Sequence, residues 1–416
     1  MFLIFNHYSK TYNIYSQSNL MLIGLVGGPN KGKSTFFKAA TLAEVEIANR
    51  PFVTLKPNEG VAYVKVEDVA REFNKVSNPR EGYCLDGFRF VPIKLIDVAG
   101  LVPGAHEGKG CGNQFLSDLN QADVLVHVVD ISGSTDENGN PIQPLSYDPV
   151  KDIEFLEVEL DMWYFGILKK GWDKFTRTIK QENQDIKKAL SKQLSGLNVN
   201  EEIIQNAIKN LKLDHHPIEW NEDELKELAK ELRRATKPMI IAANKIDIPG
   251  SKLNFDRAKE KFKDYLIIPC SAESELALRE ATKHDLIKYI PGENDFKITG
   301  KLNEKQKDAL KFIKKNVLDE YKNTGIQQTL DKAVFELLNY IALFPGGVNK
   351  LEDSEGRVLP DCFLMRNGST ALDFAFRLHT DFGKNFIKAI DVRTKLSVGK
   401  DHKLKHKDII ELAVRK

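Results

Sequence analysis

Cysteine is scarce. The 416 residues carry four (Cys84, Cys111, Cys270, Cys362), far apart and with no C-x-x-C pair, which argues against a disulfide framework or a structural zinc site and makes a reducing cytoplasm the expected compartment. No apolar run approaches the eighteen or so residues that a membrane helix needs, so no membrane partner is expected. An excess of one charge is missing too: 61 Lys+Arg against 59 Asp+Glu leave +2, so a nucleic-acid surface would have to be a local patch. Residues 1–20 have a short apolar start (Phe2 to Phe5) but neither a basic n-region nor a small-residue cleavage site, and so read as a poor signal peptide. Met21 sits directly before the first strand, and 1–20 is expected to be a disordered or spurious extension. What is present is ordinary for a globular chain, 42 % hydrophobic and 29 % charged, with length for two or three domains.

The rest of the chain is organised around residues 22–34, Leu-Ile-Gly-Leu-Val-Gly-Gly-Pro-Asn-Lys-Gly-Lys-Ser, an apolar strand running into a glycine-rich turn and a helix. Gly27, Gly32, Lys33 and Ser34 satisfy G-x-x-x-x-G-K-[ST], the phosphate-binding loop. Such a turn, here Gly27-Gly28-Pro29-Asn30-Lys31-Gly32, aims backbone N–H groups at a polyphosphate, and glycine lets the backbone come close. Lys33 then reaches the β- and γ-phosphates, Ser34 puts a hydroxyl on Mg²⁺, and the helix starting near Thr35 points its positive end at the same anion.

Arg50 to Gly60 contains two prolines and a Pro-Asn-Glu-Gly turn, and reads as a loop or strand entry. Thr54, twenty residues past Ser34, falls where a nucleotide switch carries the threonine that closes over Mg²⁺ and the γ-phosphate. Residues 89–96 read as a strand ending in Asp97-Val98-Ala99-Gly100. Asp97 is placed to hold Mg²⁺ through water, and Gly100 to offer its N–H to the γ-phosphate. Leu101 to Asn113 follows with four glycines in thirteen positions, suited to a loop that orders around a γ-phosphate. Leu101 stands where many GTPases carry the glutamine that orients water, which leaves His106 as the nearest titratable candidate.

Val124 to Val129, ending in Asp130, reads as a buried parallel strand, and 134–149 as a polar turn region. Helical periodicity then takes over: Ile153, Leu156, Leu160, Trp163 and Ile167 form a seam, and 150–237 is expected to be an inserted antiparallel helical arm. Lys169, Lys170, Lys174, Arg177, Lys180, Lys187, Lys188 and Lys192 make part of it basic, which suits either a solvated face or RNA. At Pro238 the α/β pattern resumes, in a strand ending in Asn244-Lys245-Ile246-Asp247. In N-K-x-D the Asp carboxylate accepts from guanine N1–H and the 2-amino group together, a donor pair that adenine lacks. A further strand, Tyr265 to Pro269, leads to Cys270-Ser271-Ala272, where the backbone of Ser271 and Ala272 could meet guanine O6.

Residues 301–342 read as a helical segment packing on the GTPase domain, with Ile341 on its periodicity and Phe344-Pro345-Gly346-Gly347 breaking it. From 343 a small α+β module is expected: a strand at Cys362 to Met365, a turn at Asn367-Gly368, a helix from Thr370 capped by Ser369, and strands at Ile387 to Val392 and Ile409 to Val414. Lys384 to Lys416 holds ten Lys/Arg against four Asp/Glu, a candidate RNA face. The fold class is therefore α/β: a P-loop domain with a doubly wound, mostly parallel sheet over 21–149 and 238–300, the inserted arm, and the C-terminal module.

The order of Gly-Gly-Pro-Asn-Lys-Gly-Lys-Ser, Pro-Phe-Val-Thr, Asp-Val-Ala-Gly-Leu, Gly-Ala-His-Glu-Gly-Lys-Gly-Cys-Gly-Asn and Asn-Lys-Ile-Asp resembles the Obg-related GTPases, most closely the YchF (Obg-like ATPase) family in its archaeal form. The likeness runs from Met21 to the C-terminus, where Asn367 to Ala375 is similar to a TGS domain of β-grasp type. It implies that Leu101 replaces the catalytic glutamine, that His106 matches a loop histidine assisting hydrolysis, and that Asn30 matches an asparagine linked to K⁺ near the phosphates. It also implies ribosome or RNA partners. Many family members carry N-x-x-E and prefer ATP, whereas Asn244, Lys245 and Asp247 here favour GTP, with GDP as product. The expected activity is slow Mg²⁺-dependent GTP hydrolysis. The alternatives are an ATPase of the same fold and an RNA-binding module with a structural nucleotide. A monomer is the default expectation.

Overall fold

The computed structural model describes residues 20–42, 58–98 and 119–415, and the backbone of Phe2–Leu3. In chain order the first elements are β1 (Phe2–Leu3), β2 (Leu22–Val26), α1 (Lys33–Thr41), β3 (Glu59–Glu67), β4 (Tyr83–Leu85), β5 (Phe88–Asp97) and β6 (Val124–Asp130). There follow α2 (Val150–Lys169), α3 (Trp172–Glu182), α4 (Ile186–Gln193), α5 (Glu201–Leu211), α6 (Glu222–Thr236), β7 (Met239–Asn244), α7 (Ser251–Lys261), β8 (Ile267–Pro269) and α8 (Ala272–Lys283). The last part holds β9 (Ile287–Tyr289), β10 (Phe296–Ile298), α9 (Glu304–Ile313), α10 (Ile326–Lys332), β11 (Tyr340–Pro345), β12 (Phe363–Arg366), α11 (Ala371–Leu378), α12 (Thr380–Lys384), β13 (Phe386–Asp391), β14 (Ser397–Val398) and β15 (Ile409–Val414). The chain divides into two compact units, one of residues 21–37 and 95–274, the other of 1–20, 38–94 and 275–416.

In the first unit β2, β6, β7 and β8 lie side by side and parallel, with Val26 opposite His127 and Asp130 opposite Asn244. All residues of β2, β6 and β7 are buried, because both faces of a parallel sheet are covered; this is why these strands read as unbroken apolar runs. The end of β5, Leu95–Asp97, belongs to this unit, and Val98 N–H donates to Leu25 O at 3.1 Å. The five helices α2 to α6 pack around their own core, including Leu168, Trp172, Ile204, Leu228 and Leu232, with the Trp172 and Trp220 rings stacked 5.7 Å apart. Helices α2 and α6 run antiparallel, since Lys169 pairs with Glu222 at one end and Asp161 with Arg233 towards the other, both at 2.7 Å. The expected seam drifts along α2: Ile153, Leu156 and Leu160 are buried, but further on Tyr164, Phe165 and Leu168 replace Trp163 and Ile167, as a 3.6-residue period requires when neighbours change along a helix.

In the second unit the C-terminal sheet has the order β12-β11-β15-β13-β14, with β11 and β15 parallel and α11 packed on its apolar face through Phe374, Ala375 and Leu378. Three expectations change here. Ile341 is not helical: Tyr340–Pro345 is a strand whose last five residues are buried, and it carries Pro345 at its end, where no ladder donor is needed. The helix after the Asn367-Gly368 turn is capped by Thr370, whose side chain accepts from Asp373 N–H while Asp373 answers at Thr370 N–H, a reciprocal box that Ser369 lacks. Phe2–Leu3, within the stretch expected to be disordered or spurious, pair antiparallel with Val414 and Ala413, a free edge of the last strand. The β9–β10 hairpin was not foreseen in the sequence.

The same unit fastens β3–β5 to the C-terminal module. Arg80 grips Asp361 and Asp353, and Arg89, 1 % exposed, donates to Leu359 O and Pro360 O at 3.1 and 2.8 Å. Arg393 and Lys407 pair with Glu72 and Glu67, so part of the basic count near the C-terminus is neutralised within the fold. Along β3, Gln327 donates to Tyr63 O and Asp331 accepts from Lys65 N–H, at 2.9 and 2.8 Å.

Burial raises the Asp331 carboxyl from 3.8 to about 7. The folded state therefore holds a proton that the unfolded chain has lost, and the stability from this group falls as pH rises from about 4 to about 7, then levels. Asp331→Asn, which keeps an acceptor for Lys65, is expected to gain stability relative to wild type on going from pH 5 to pH 8, as read by urea unfolding at both values.

Candidate nucleotide site

The loop between β2 and α1 is held in a shape that side chains would prevent. A Cβ on Gly27, at φ +142°, would lie 2.4 Å from Val128 O, and one on Gly32, at φ +98°, would lie 2.1 Å from Asn244 Nδ2. Lys33 donates to Gly27 O and Gly28 O at 3.0 and 2.8 Å, so its ammonium lies inside the loop, in the space that phosphate oxygens occupy in such sites. Burial lowers its pKa, and the nearby Asp97 charge works against that shift. Ser34 Oγ donates to Asp97 at 3.1 Å. Burial raises the Asp97 carboxyl, and the Ser34 hydrogen bond and the Lys33 charge oppose this. A hydroxyl and a carboxylate meeting where the helix begins are hard oxygen donors, of the kind Mg²⁺ takes together with water and phosphate, so these residues fit that ion.

On the other side, Asn244 is a bracket. Its Nδ2 donates to Lys31 O at 3.1 Å and its Oδ1 accepts from Ala272 N–H at 3.0 Å, tying phosphate loop, strand end and the Cys270-Ser271-Ala272 turn together. That turn is also set by Cys270 N–H to Ala243 O and Ile246 N–H to Cys270 O, at 2.9 and 3.0 Å. The Ser271 hydroxyl faces inward to Ser274 at 2.7 Å and accepts from Ser274 N–H, which fixes the start of α8. Lys245, at φ +62°, sends its ammonium to Asp130 at 2.8 Å. Asp247 is half-buried and has no hydrogen bond or ion pair among the described residues, so its carboxylate is free for a ligand.

Several functional groups were not legible as such. Asp130, fully buried, also accepts from the hydroxyls of Ser132, Ser134 and Thr135; burial would raise its pKa, but the Lys245 and Ser132 bonds outweigh it and hold it below the usual carboxylate range. Lys31 contributes more than an amide. Its side chain, 1 % exposed, pairs with Asp152 at 2.8 Å, donates to Thr135 O and Asp136 O, and lies 4.6 Å from the Tyr147 ring centroid. Asn30 Nδ2 donates to Gly139 O at 2.9 Å, so the polar turn 134–147 lies against the loop. His127, buried in β6 beneath the loop, leaves its Nδ1 without a partner; burial and the charges of Lys33 and Lys31 push its pKa down to about 3, so it is neutral. The only sequence signal was a histidine in an otherwise apolar strand. Thr54, Gly100, Leu101, His106 and Cys111 lie outside the described residues.

The chain is similar to known proteins along most of its length. Residues 22–158 match a 50S ribosome-binding GTPase family, 242–347 the G4 motif-containing domain of YGR210-like Obg-like GTPases, and 353–414 the TGS domain. An uncharacterized GTP-binding protein of Methanocaldococcus jannaschii is 50 % identical over 396 residues, 94 % of this chain and 99 % of that protein. The chain belongs to the YchF/Obg-like family of P-loop GTPases. The ribosome-binding ATPase YchF of Buchnera aphidicola is 30 % identical over 88 % of this chain and 86 % of its own length. The crystal structure of a GTP-binding protein from Pyrococcus horikoshii OT3 is 40 % identical, with a TM-score of 0.75 over 95 % of this chain and all of that one. As a YchF-type protein the chain is a nucleoside-triphosphate hydrolase with a C-terminal TGS domain.

The buried Lys31–Asp152 pair fixes the phosphate loop to the first turn of α2. Lys31→Met, which leaves Asp152 buried without its cation, is expected to lower the unfolding free energy by about 3–5 kcal/mol. Adding Asp152→Leu is expected to restore part of the loss, as read by urea unfolding of both variants.

Proposed function

We propose that this YchF-type protein is a slow, Mg²⁺-dependent GTPase switch acting in the cytoplasm on the ribosome or its RNA. The observation that carries the guanine assignment is Asn244, bonded at once to Lys31 O and Ala272 N–H, with the Asp247 carboxylate left free three residues on. In this reading the amides of Gly27 to Thr35 and the Lys33 ammonium hold the phosphates. Asp247 accepts from guanine N1–H and the 2-amino group, Lys245 lies along the base, and the backbone of Ser271 and Ala272 meets O6. ATP offers no matching donor pair, and the unpaired carboxylate would then be desolvated at a cost.

Mg²⁺ would be held by the Ser34 hydroxyl, by Thr54, and by Asp97 through water; when bound it neutralises charge on the β- and γ-phosphate oxygens. Gly100 senses the γ-phosphate. With Leu101 unable to orient water, unaided turnover lies well below the roughly 1–100 s⁻¹ of kinases. Acceleration comes from His106, from the partner, or from K⁺ taken by the Asn30 side-chain oxygen, whose amide nitrogen is already engaged with Gly139. The RNA-facing surface is the arm: Lys170, Lys174, Arg177, Lys180, Lys188 and Lys192 are exposed and carry no ion pair among the described residues, which suits a polyanion. The name of the Buchnera relative, a ribosome-binding ATPase, supports the same partner.

The ATPase reading is separated by titration with fluorescent GTP and ATP analogues. GTP is expected to bind the more tightly, and Asp247→Asn to weaken it at least about a hundredfold while favouring xanthine nucleotides; tighter ATP binding would remove the guanine assignment. Single-turnover hydrolysis with and without ribosomes and K⁺ is expected to accelerate with both. A rate indifferent to ribosomes would leave the nucleotide a structural ligand, and His106→Ala with unchanged turnover would remove that histidine from the reaction.

A further inference from the structure

Between the β9–β10 hairpin and α9 an open groove of about 590 Å³ runs over the outer side of a hydrophobic cluster. Its floor is apolar, made of Phe296, Ile298, Leu302 and Leu310, and Ile298 is 60 % exposed, an unusual position for a large aliphatic side chain on a strand edge. Strand β10 pairs only with β9, so its outer edge is unpaired among the described residues. Along one wall stand Lys307, Lys311 and Lys315, spaced i, i+4, i+8. Between 295 and 319 seven lysines face four acids, so the rim keeps a positive excess.

The pairs on this rim are weak. Lys307 meets Glu304 at 2.8 Å and Lys311 meets Asp308 at 4.0 Å, all four side chains largely exposed, while Lys315 has no ion pair among the described residues. Exposed pairs of this kind are weak because water screens them, so these ammonium groups can exchange partners readily. Lys314 is different, tied to Asp295 and Asp319 at 3.1 and 3.2 Å.

We infer that this groove is a docking site for an acidic amphipathic helix of a partner protein, whose apolar stripe covers Ile298 and Leu302 and whose carboxylates meet Lys307, Lys311 and Lys315. The charge argues for the sign of the partner and the floor for its apolar stripe. The lysine line argues for its length: from Lys307 along α9 and into the π-helical turn Lys314–Leu318 it extends on the order of 10 Å, too long for one anionic head group and matched by two turns of a partner helix. A polynucleotide would use the ammonium groups but leave the aliphatic floor uncovered.

The test uses the full chain and a fluorescein-labelled 18-residue peptide with leucines at i, i+3, i+4 and i+7 flanked by glutamates, read by fluorescence anisotropy. Saturable binding that weakens with added salt is expected, with at least a tenfold loss in Ile298→Glu and in Lys311→Glu/Lys315→Glu. Nucleotide binding by both variants should be unchanged, which shows that they fold. The same peptide with lysine for glutamate, or serine for leucine, is expected not to bind. The proposal is overturned if the acidic peptide fails to bind, if the variants bind it as wild type does, or if oligouridylate displaces it from the groove.

Discussion

Asn244 is the constraint on which the nucleotide site depends. An amide has one donor end and one acceptor end, and here each meets backbone: the carbonyl of Lys31 in the phosphate loop and the N–H of Ala272 at the start of α8. Neither contact survives if the strand carrying Asn244 slips by one residue, because the side chain would then face the other side of the sheet. The absence of a side chain at Gly32 belongs to the same constraint, since a Cβ there would occupy the Asn244 amide. Two segments more than two hundred residues apart in the chain are thereby fixed at one strand end, as a base and a phosphate on one ligand require.

Around that bracket the buried charges extend the linkage. Asp130, at the end of β6 and opposite Asn244, draws in Lys245 and three hydroxyls of the following turn. The turn reaches the phosphate loop through Lys31 and Asn30, and Lys31 reaches Asp152 on α2. The arm is therefore attached to the nucleotide site by polar contacts with defined partners and to the sheet by Leu156 and Leu160 of α2, which pack with Leu22, Val26 and Leu125, while its remaining helices share an apolar core of their own.

Much of this was readable in advance because it rests on spacing. Gly27, Gly32, Lys33 and Ser34 sit in a strand–turn–helix context that only one chemistry uses, and Asp97 and Asn244 each end an apolar run. What was not readable depends on contacts between distant residues. Lys31 looked like one more loop position, yet its side chain turns away from any phosphate because Asp152, 121 residues on, is there to receive it. Ile341 fitted a helical period by chance; its neighbours on β12 and β15 make 340–345 a strand. Arg393 and Lys407 looked like free positive charge until Glu72 and Glu67 were seen opposite them.

Within the second unit the segment that holds Thr54 is bounded by two fixed points. Before it, Arg279, held by the buried carboxylate of Glu275, donates to Leu42 O at 3.1 Å. Glu275 is itself bound by Tyr289 and Thr324, so this end cannot shift alone. After it, β3 is pinned by Gln327 at Tyr63, by Asp331 at Lys65 and by Lys407 at Glu67. Since Lys407 lies in the TGS domain, one of those anchors is supplied by the C-terminal module, which is thereby joined to β3, the strand that follows the segment holding Thr54.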